Sequence, residues 1–203
     1  MTWDGLRSRA AAYDVTVDGI TETLTERREE RSPDGDARRE RADAAMDADP
    51  LARVVADADV LAASLLVGGQ SREAVDRLAR HDWTQLIASE PLLSDAETVI
   101  AAHADPGLAA DWRARIEELV SPVGHPEGDH PALASARSGD ARHVLSLGER
   151  LRSVGAGTAI RREANVETSV RSPDAFVRLF DPADIYETIY GDTYPGPDRD
   201  GRP

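Results

Sequence analysis

The chain has 203 residues, 38 of them acidic and 24 basic, a formal net charge of −14 and no cysteine. That length holds one domain with a full core plus an extension, and the missing cysteine excludes disulfides, thiolate zinc sites and cysteine nucleophiles. Every basic residue is arginine and none is lysine, and acid excess without lysine points to an archaeal-type, halophilic cytoplasm at very high salt. At about 1 M salt the Debye length is only ~3 Å, so the acidity does not exclude a nucleic-acid substrate, although it removes long-range steering. Screening of the excess acids should also make the melting temperature climb between roughly 0.2 and 2 M KCl. A flat or falling melting temperature over that range would contradict the halophile reading.

In chain order, Met1 is followed by no apolar leader and no apolar run approaches 18 residues, so no membrane span and a cytoplasmic location are expected. Residues 1–50 form an N-terminal extension. Trp3, Leu6, Ala10 and Tyr13 recur at helical spacing, as do Ile20 and Leu24, while residues 26–49 are dominated by Arg, Asp and Glu and read as a solvated charged linker. The domain proper is expected over residues 51–185, with a loosely ordered tail over 186–203.

Within that domain Val54-Val55 reads as a buried strand ending at Asp57, and Val60 to Leu66 as the following helix, broken at Gly68-Gly69. Ala74, Val75, Leu78 and Ala79 share one face of a second helix. Leu86-Ile87-Ala88 is a short strand, after which Ser89 starts a helix towards His103. Asp105-Pro106-Gly107 reads as a turn, and Leu108, Trp112, Ile116 and Leu119 as a further helix. Residues 124–129 are a loop, 131–138 a helix, 143–146 a strand, 149–153 a short helix, 166–170 a strand and 173–180 a helix with proline at its first position. Strands alternating with helices predict an α/β domain, three-layer α/β/α around a mainly parallel sheet. Ligands of such sheets bind outside the carboxyl ends of the strands, where Asp57 and the start of the helix at Ser89 both fall.

Asp57, Asp95 and Asp129 follow or open these elements, and carboxylates gathered from separate element ends suit a hard divalent cation. By strand parity Asp59 points away from Asp57 and is expected to cap the following helix rather than ligate. Ser89 and Ser146 read as helix-start or turn residues. The five histidines form no zinc pattern, and Trp83 and Trp112 read as core.

The order of Val54-Val55-Ala56-Asp57-Ala58-Asp59, of Ser89 with Asp95, of Asp129 with Leu133 and Ala136, and of Val144-Leu145-Ser146-Leu147-Gly148-Glu149 resembles the PIN-domain nuclease family over about residues 51–182. The resemblance implies a magnesium- or manganese-dependent ribonuclease, a hydrolase of single-stranded RNA in which Asp57, Asp95 and Asp129 are the catalytic and metal-binding residues. It allows a homodimer or an antitoxin-like partner. Gly148 stands where the family has its fourth acid, which leaves a catalytically inactive binding module as the alternative. A haloacid-dehalogenase-like phosphohydrolase, whose opening Asp-x-Asp is matched by Asp57 and Asp59, would lack its phosphate-holding lysine. Without a metal, clustered carboxylates repel one another, so Asp57→Asn is expected to stabilise the metal-free protein.

Overall fold

The computed structural model describes residues 1–30, 48–125, 130–153 and 168–198. Five strands, β1 (Arg53–Ala56), β2 (Gln85–Ser89), β3 (Val120–Val123), β4 (His143–Leu145) and β5 (Ser169–Arg171), form one sheet in the order β3-β2-β1-β4-β5, with every pairing parallel. Val54, Val55 and Ala56 are all buried, as a central strand covered on both faces requires. The register aligns Ala56 with Leu145 on β4, so the residues just past β1 and β4 emerge side by side.

Among the described residues the helices between strands are α3 (Ala58–Leu66), α4 (Gly69–Ala79), α5 (Glu90–His103), α6 (Pro106–Glu117), α7 (Pro131–Ser138) and α8 (Glu149–Arg152). Right-handed crossovers put the helices that follow β1 and β2 on one face and α7 on the other, where α7 packs over β2, β1 and β4. The α/β architecture expected from the alternation is therefore present, with helices flanking an all-parallel sheet. Gly139, at the end of α7, lets that helix approach β2; a Cβ there would meet Ile87 at 2.6 Å.

One strand has no counterpart in the sequence reading, and two local expectations need correction. Strand β3 has no strong pattern, because it contains Pro122 and only its last residue is buried; as an edge strand it tolerates proline, and pairing with β2 rather than sequence pattern forms it. Asp105 is not merely a turn residue: its carboxylate accepts from the Leu108 amide at 2.8 Å and caps α6. Of the stretch expected to be a loose tail, residues 186–198 are docked. Helices α9 (Pro173–Leu179) and α10 (Pro182–Tyr190) follow β5. Beyond them the Tyr194 hydroxyl bonds His81 Nε2 at 2.5 Å and Asp198 accepts from the Asp82 amide at 2.8 Å. Tyr186 packs edge-on against Trp83.

The N-terminal extension is part of the same core. Helix α1 (Trp3–Ala10) packs on α3 and α6, and α2 (Val17–Glu30) on α3 and α5. Trp3, Leu6, Ala10, Ile20 and Leu24 join the central hydrophobic cluster. Burial of Ile20 and Leu24 contributes roughly 1.5–3 kcal/mol each towards holding α2 in place. Arg7 adds a two-pronged pair with Asp76 at 2.8 and 2.9 Å. Residues 26–30, expected in a solvated linker, instead complete α2. The rest of that segment (31–47), Asp129, residues 166–167 of the expected strand and the end of the tail (199–203) lie outside the described residues. Among the described residues no helix is long and apolar enough to cross a membrane.

Candidate functional site

Strand order reverses direction at β1: the chain builds outward through β2 and β3 on one side, then returns to place β4 on the other. The crevice between the carboxyl ends of β1 and β4 is thus a topological switch point, where open α/β sheets bind ligands. Asp57 is the first residue after β1 and Ser146 the first after β4. Asp57 is also the N-cap of α3, its Oδ1 accepting from the Ala58 amide at 2.8 Å. The sharp change from strand to helix fixes its carboxylate at the mouth of the crevice.

Asp59, in the first turn of α3, faces the same way. Its Oδ2 accepts from the amides of Leu147 at 3.1 Å and Gly148 at 3.0 Å. The Ser146 hydroxyl lies 3.2 Å from that oxygen and 3.3 Å from Asp57 Oδ2; with one proton it donates to one carboxylate at a time. Strand parity predicted the opposite because it stops applying at Asp57, where the backbone turns helical. Asp59 therefore ties the β4–α8 loop to α3. Its Oδ1 is buried and has no hydrogen-bond partner. Burial first, and then the charge of Asp57, push the Asp59 carboxyl up to about 7; below that pH it is neutral.

Asp95 arrives from the second turn of α5 and is fully buried. What joins it to Asp57 is the last turn of α2. Arg28 donates from both terminal nitrogens to Asp57, at 2.6 Å to Oδ1 and 3.3 Å to Oδ2, while its Nε reaches Asp95 Oδ2 at 3.4 Å. Arg27 Nε donates to the other Asp95 oxygen at 3.0 Å. Burial works against the charge of Arg28, but Asp57 and then Asp95 outweigh it and hold the guanidinium protonated. Burial likewise opposes the charge of Asp57, and the field and hydrogen bonds of Arg28, with the Ala58 amide, keep that carboxyl below its ordinary range.

His130, just before α7, completes the ring. Its Nε2 lies 2.8 Å from Arg28 Nη1. Its Nδ1 lies 3.3 Å from the Ala132 amide; both neighbours can only donate, and a neutral imidazole has one lone-pair nitrogen, so it accepts from one of them at a time. The imidazole is held neutral by burial, and Asp57 works in the other direction without overcoming it. The resulting site has two carboxylates facing two guanidinium groups, with Asp59 protonated below about pH 7.

Two of the three aspartates singled out from sequence, Asp57 and Asp95, are thus brought together; Asp129 lies outside the described residues. Ser146 positions the carboxylates rather than serving only as a turn residue. Ser89 serves packing: its amide donates to Ser135 Oγ at 3.0 Å, joining the end of β2 to α7. Trp83 and Trp112 are core residues. Arg27 and Arg28 escaped notice because they sit in a charge run. The available signal was periodicity: Arg28 follows Leu24 at i+4 and Ile20 at i+8, continuing the buried stripe of α2.

Among the described residues no group of three His, Asp or Glu side chains is placed to hold a metal ion. Asp57 and Asp95 offer carboxylate oxygens, the donor type a hard divalent cation takes, but both are already paired with Arg27 and Arg28. The position between Asp57 and Asp95 already holds positive charge, in the form of the Arg28 guanidinium.

A family model described as a family of unknown function (DUF7384) matches residues 47–202. No curated protein and no solved structure matches the chain. The matched region takes in the whole sheet, α3 to α10 and the docked tail, and leaves α1 and α2 outside it.

Proposed function

The chain belongs to this family of unknown function, and from the geometry of its site we propose a PIN-like, metal-dependent ribonuclease. The observation that carries the proposal is the meeting of two buried carboxylates, Asp57 and Asp95, which share the Arg28 guanidinium at the switch point of a parallel sheet, with Arg27 also on Asp95. When bound, Mg²⁺ or Mn²⁺ would lower the pKa of a coordinated water and neutralise the scissile phosphate of RNA. Asp57 would hold the ion, its carboxylate fixed by the Ala58 amide and the Ser146 hydroxyl. Asp95 would hold it from the α5 side, directly or through water. Asp59 would keep the β4–α8 loop, and with it Gly148, against the site.

Manganese-dependent cleavage of single-stranded RNA is the expected activity, and Asp57→Asn should abolish it. Gly148→Asp should increase it by adding a carboxylate beside Asp59. The backbone permits this exchange: Gly148 has φ −66°, and a Cβ there would have Ser146 Oγ at 3.4 Å and Asp59 Oδ2 at 3.8 Å. RNA left intact by folded wild type and by a folded Arg28→Ala variant, both at millimolar Mn²⁺, would sink the nuclease reading.

The second reading is a binding module without catalysis. It is favoured by the charge balance, since Arg27 and Arg28 already neutralise the carboxylates from within the chain and the fourth acid is glycine. In that case Asp57→Asn would be silent in every manganese assay.

A further inference from the structure

A cavity of about 420 Å³ lies where α4, the junction of α9 with α10 and the docked tail meet. His81, in its lining, precedes β2, whereas Asp57 follows β1. With every strand parallel, the cavity and the switch point lie towards opposite ends of the sheet. Its size is that of a small-molecule site, in which an apolar lining carries a few polar groups. Val177 and Phe180 supply apolar surface. Among the described residues Arg77, Arg80 and Arg178 bring three positive charges to the lining, against Glu73 and Asp181. The whole chain has the opposite balance, 24 basic residues to 38 acidic.

These polar groups differ in what they have left to offer. His81 is buried, and its Nδ1 lies 2.7 Å from the Arg77 carbonyl. A carbonyl only accepts, so Nδ1 of the neutral ring carries the proton and Nε2 takes the Tyr194 O–H at 2.5 Å. Neither the ring nor the hydroxyl then has a hydrogen to spare. Asp181 accepts from the Ala183 amide as the N-cap of α10, and Glu73 pairs with Arg77. Arg77 is further spent on the carbonyls of Val177 and Phe180, which ties α4 to the end of α9. Arg178 pairs with Asp174 one turn back on its own helix, both of them exposed, and such a surface pair is worth little in water. Arg80 is exposed and has no hydrogen bond or ion pair with the described residues. The donors left over are guanidinium N–H groups, and the ligand they fit is an acceptor with negative charge.

The tail forms the last wall. Tyr194 and Pro197 line the cavity, and the segment is fastened by Tyr194 on His81 and by Asp198 on the Asp82 amide. Gly191 and Gly196 stand on either side of Tyr194 with φ of 71° and 93°, a region that glycine enters at no steric cost. We propose that this cavity binds a small organic anion, an apolar body carrying a carboxylate or a phosphate, with Arg80 and Arg178 on the charge and the tail closing over it.

The experiment titrates the full-length protein with benzoate and with phenyl phosphate at constant ionic strength and reads the melting temperature. Benzyl alcohol, the ring without the charge, is the control. One or both anions should raise the melting temperature saturably, since a ligand of the folded state alone must do so, and the anion that does so identifies the head group. Arg80→Gln should weaken the response roughly tenfold, the effect of losing one charge-assisted contact. Arg80 is exposed and unpaired among the described residues, so the variant should fold as wild type does. No saturable rise with either anion up to roughly 10 mM, or an equal rise in Arg80→Gln, would overturn the proposal. So would a benzyl alcohol response that matches the anions, which would leave only an apolar cleft. Hydrogen exchange fixes the place: the Asp82 amide, bonded to Asp198, should exchange more slowly with the anion bound. Protection confined to other parts of the chain would refute the site.

Discussion

Arg28→Ala is expected to destabilise the metal-free protein by about 3–5 kcal/mol, the usual cost of removing one partner from a buried ion pair. Asp57 and Asp95 are 1% and 0% exposed, and Arg28 is their shared counter-charge. The loss is a large share of a typical stability of roughly 5–15 kcal/mol. Arg28→Lys should recover only part of it, because an ammonium cannot reproduce the fork that spans both carboxylates. The same geometry reverses the sign expected for Asp57→Asn from sequence alone. Repulsion among bare acids predicted that this substitution stabilises the metal-free protein; with Arg28 in place, it takes away the carboxylate that the guanidinium grips with two nitrogens, and the variant should be less stable. The double variant should be more stable than the sum of the single losses predicts, since contacting residues are not additive. Urea unfolding in metal-free buffer measures wild type and all four variants. An Arg28→Ala variant within about 0.5 kcal/mol of wild type would show that the pairs contribute nothing beyond an ordinary surface contact.

Below neutral pH, wild type should lose about 3 kcal/mol of stability relative to His143→Gln as pH falls from about 6.5 to about 4. His143 opens β4 with its ring edges against Phe176 and Phe180, and its Nδ1 lies 3.1 Å from Ser169 Oγ. Burial first, then the charges of Arg171 and Arg142, lower its pKa from 6.5 to about 4. A lowered pKa means that the folded protein binds this proton less readily than the unfolded chain. Its contribution is therefore fully present above about pH 6.5 and is lost as pH falls through the interval to about 4. Asp59 works in the opposite direction, its folded form holding a proton up to about pH 7, so the raw curve of either protein is flatter than the histidine contribution alone. Both proteins keep Asp59, and their difference isolates His143. Parallel pH profiles for the two would mean that the ring is protonated freely in the folded state.

Much of the fold was legible because its signals are local. The apolar runs at Val54-Val55, Leu86 to Ala88 and Val144-Leu145 mark the central strands, and the i, i+3, i+4 stripes mark α4 and α6. Strand β3 was illegible because an edge strand with proline owes its conformation to the pairing with β2. The tail was misread because its tyrosines, surrounded by Pro, Gly and Asp, acquire partners only through His81, Asp82 and Trp83, which are distant in sequence.

In the site, Asp57 could be picked out because it ends an apolar strand, and Asp95 because of its spacing from Ser89. Their convergence, the entry of Asp59 and Ser146 into the same network, and the two arginines closing it were not legible. Composition and periodicity by themselves determined the α/β class, the positions of most elements and the fact that carboxylates would stand at strand ends, since these follow from local backbone preference and from which side chains avoid water. Only the tertiary structure decided what those carboxylates face. A charge run reads as solvated until Ile20 and Leu24 bury one side of its helix, and burying that side carries Arg28, one turn further on, into contact with Asp57 and Asp95. Whether an acid repels its neighbours or is held by a cation depends on which groups lie within a few ångströms, and here the cation comes from outside the stretch the family model matches.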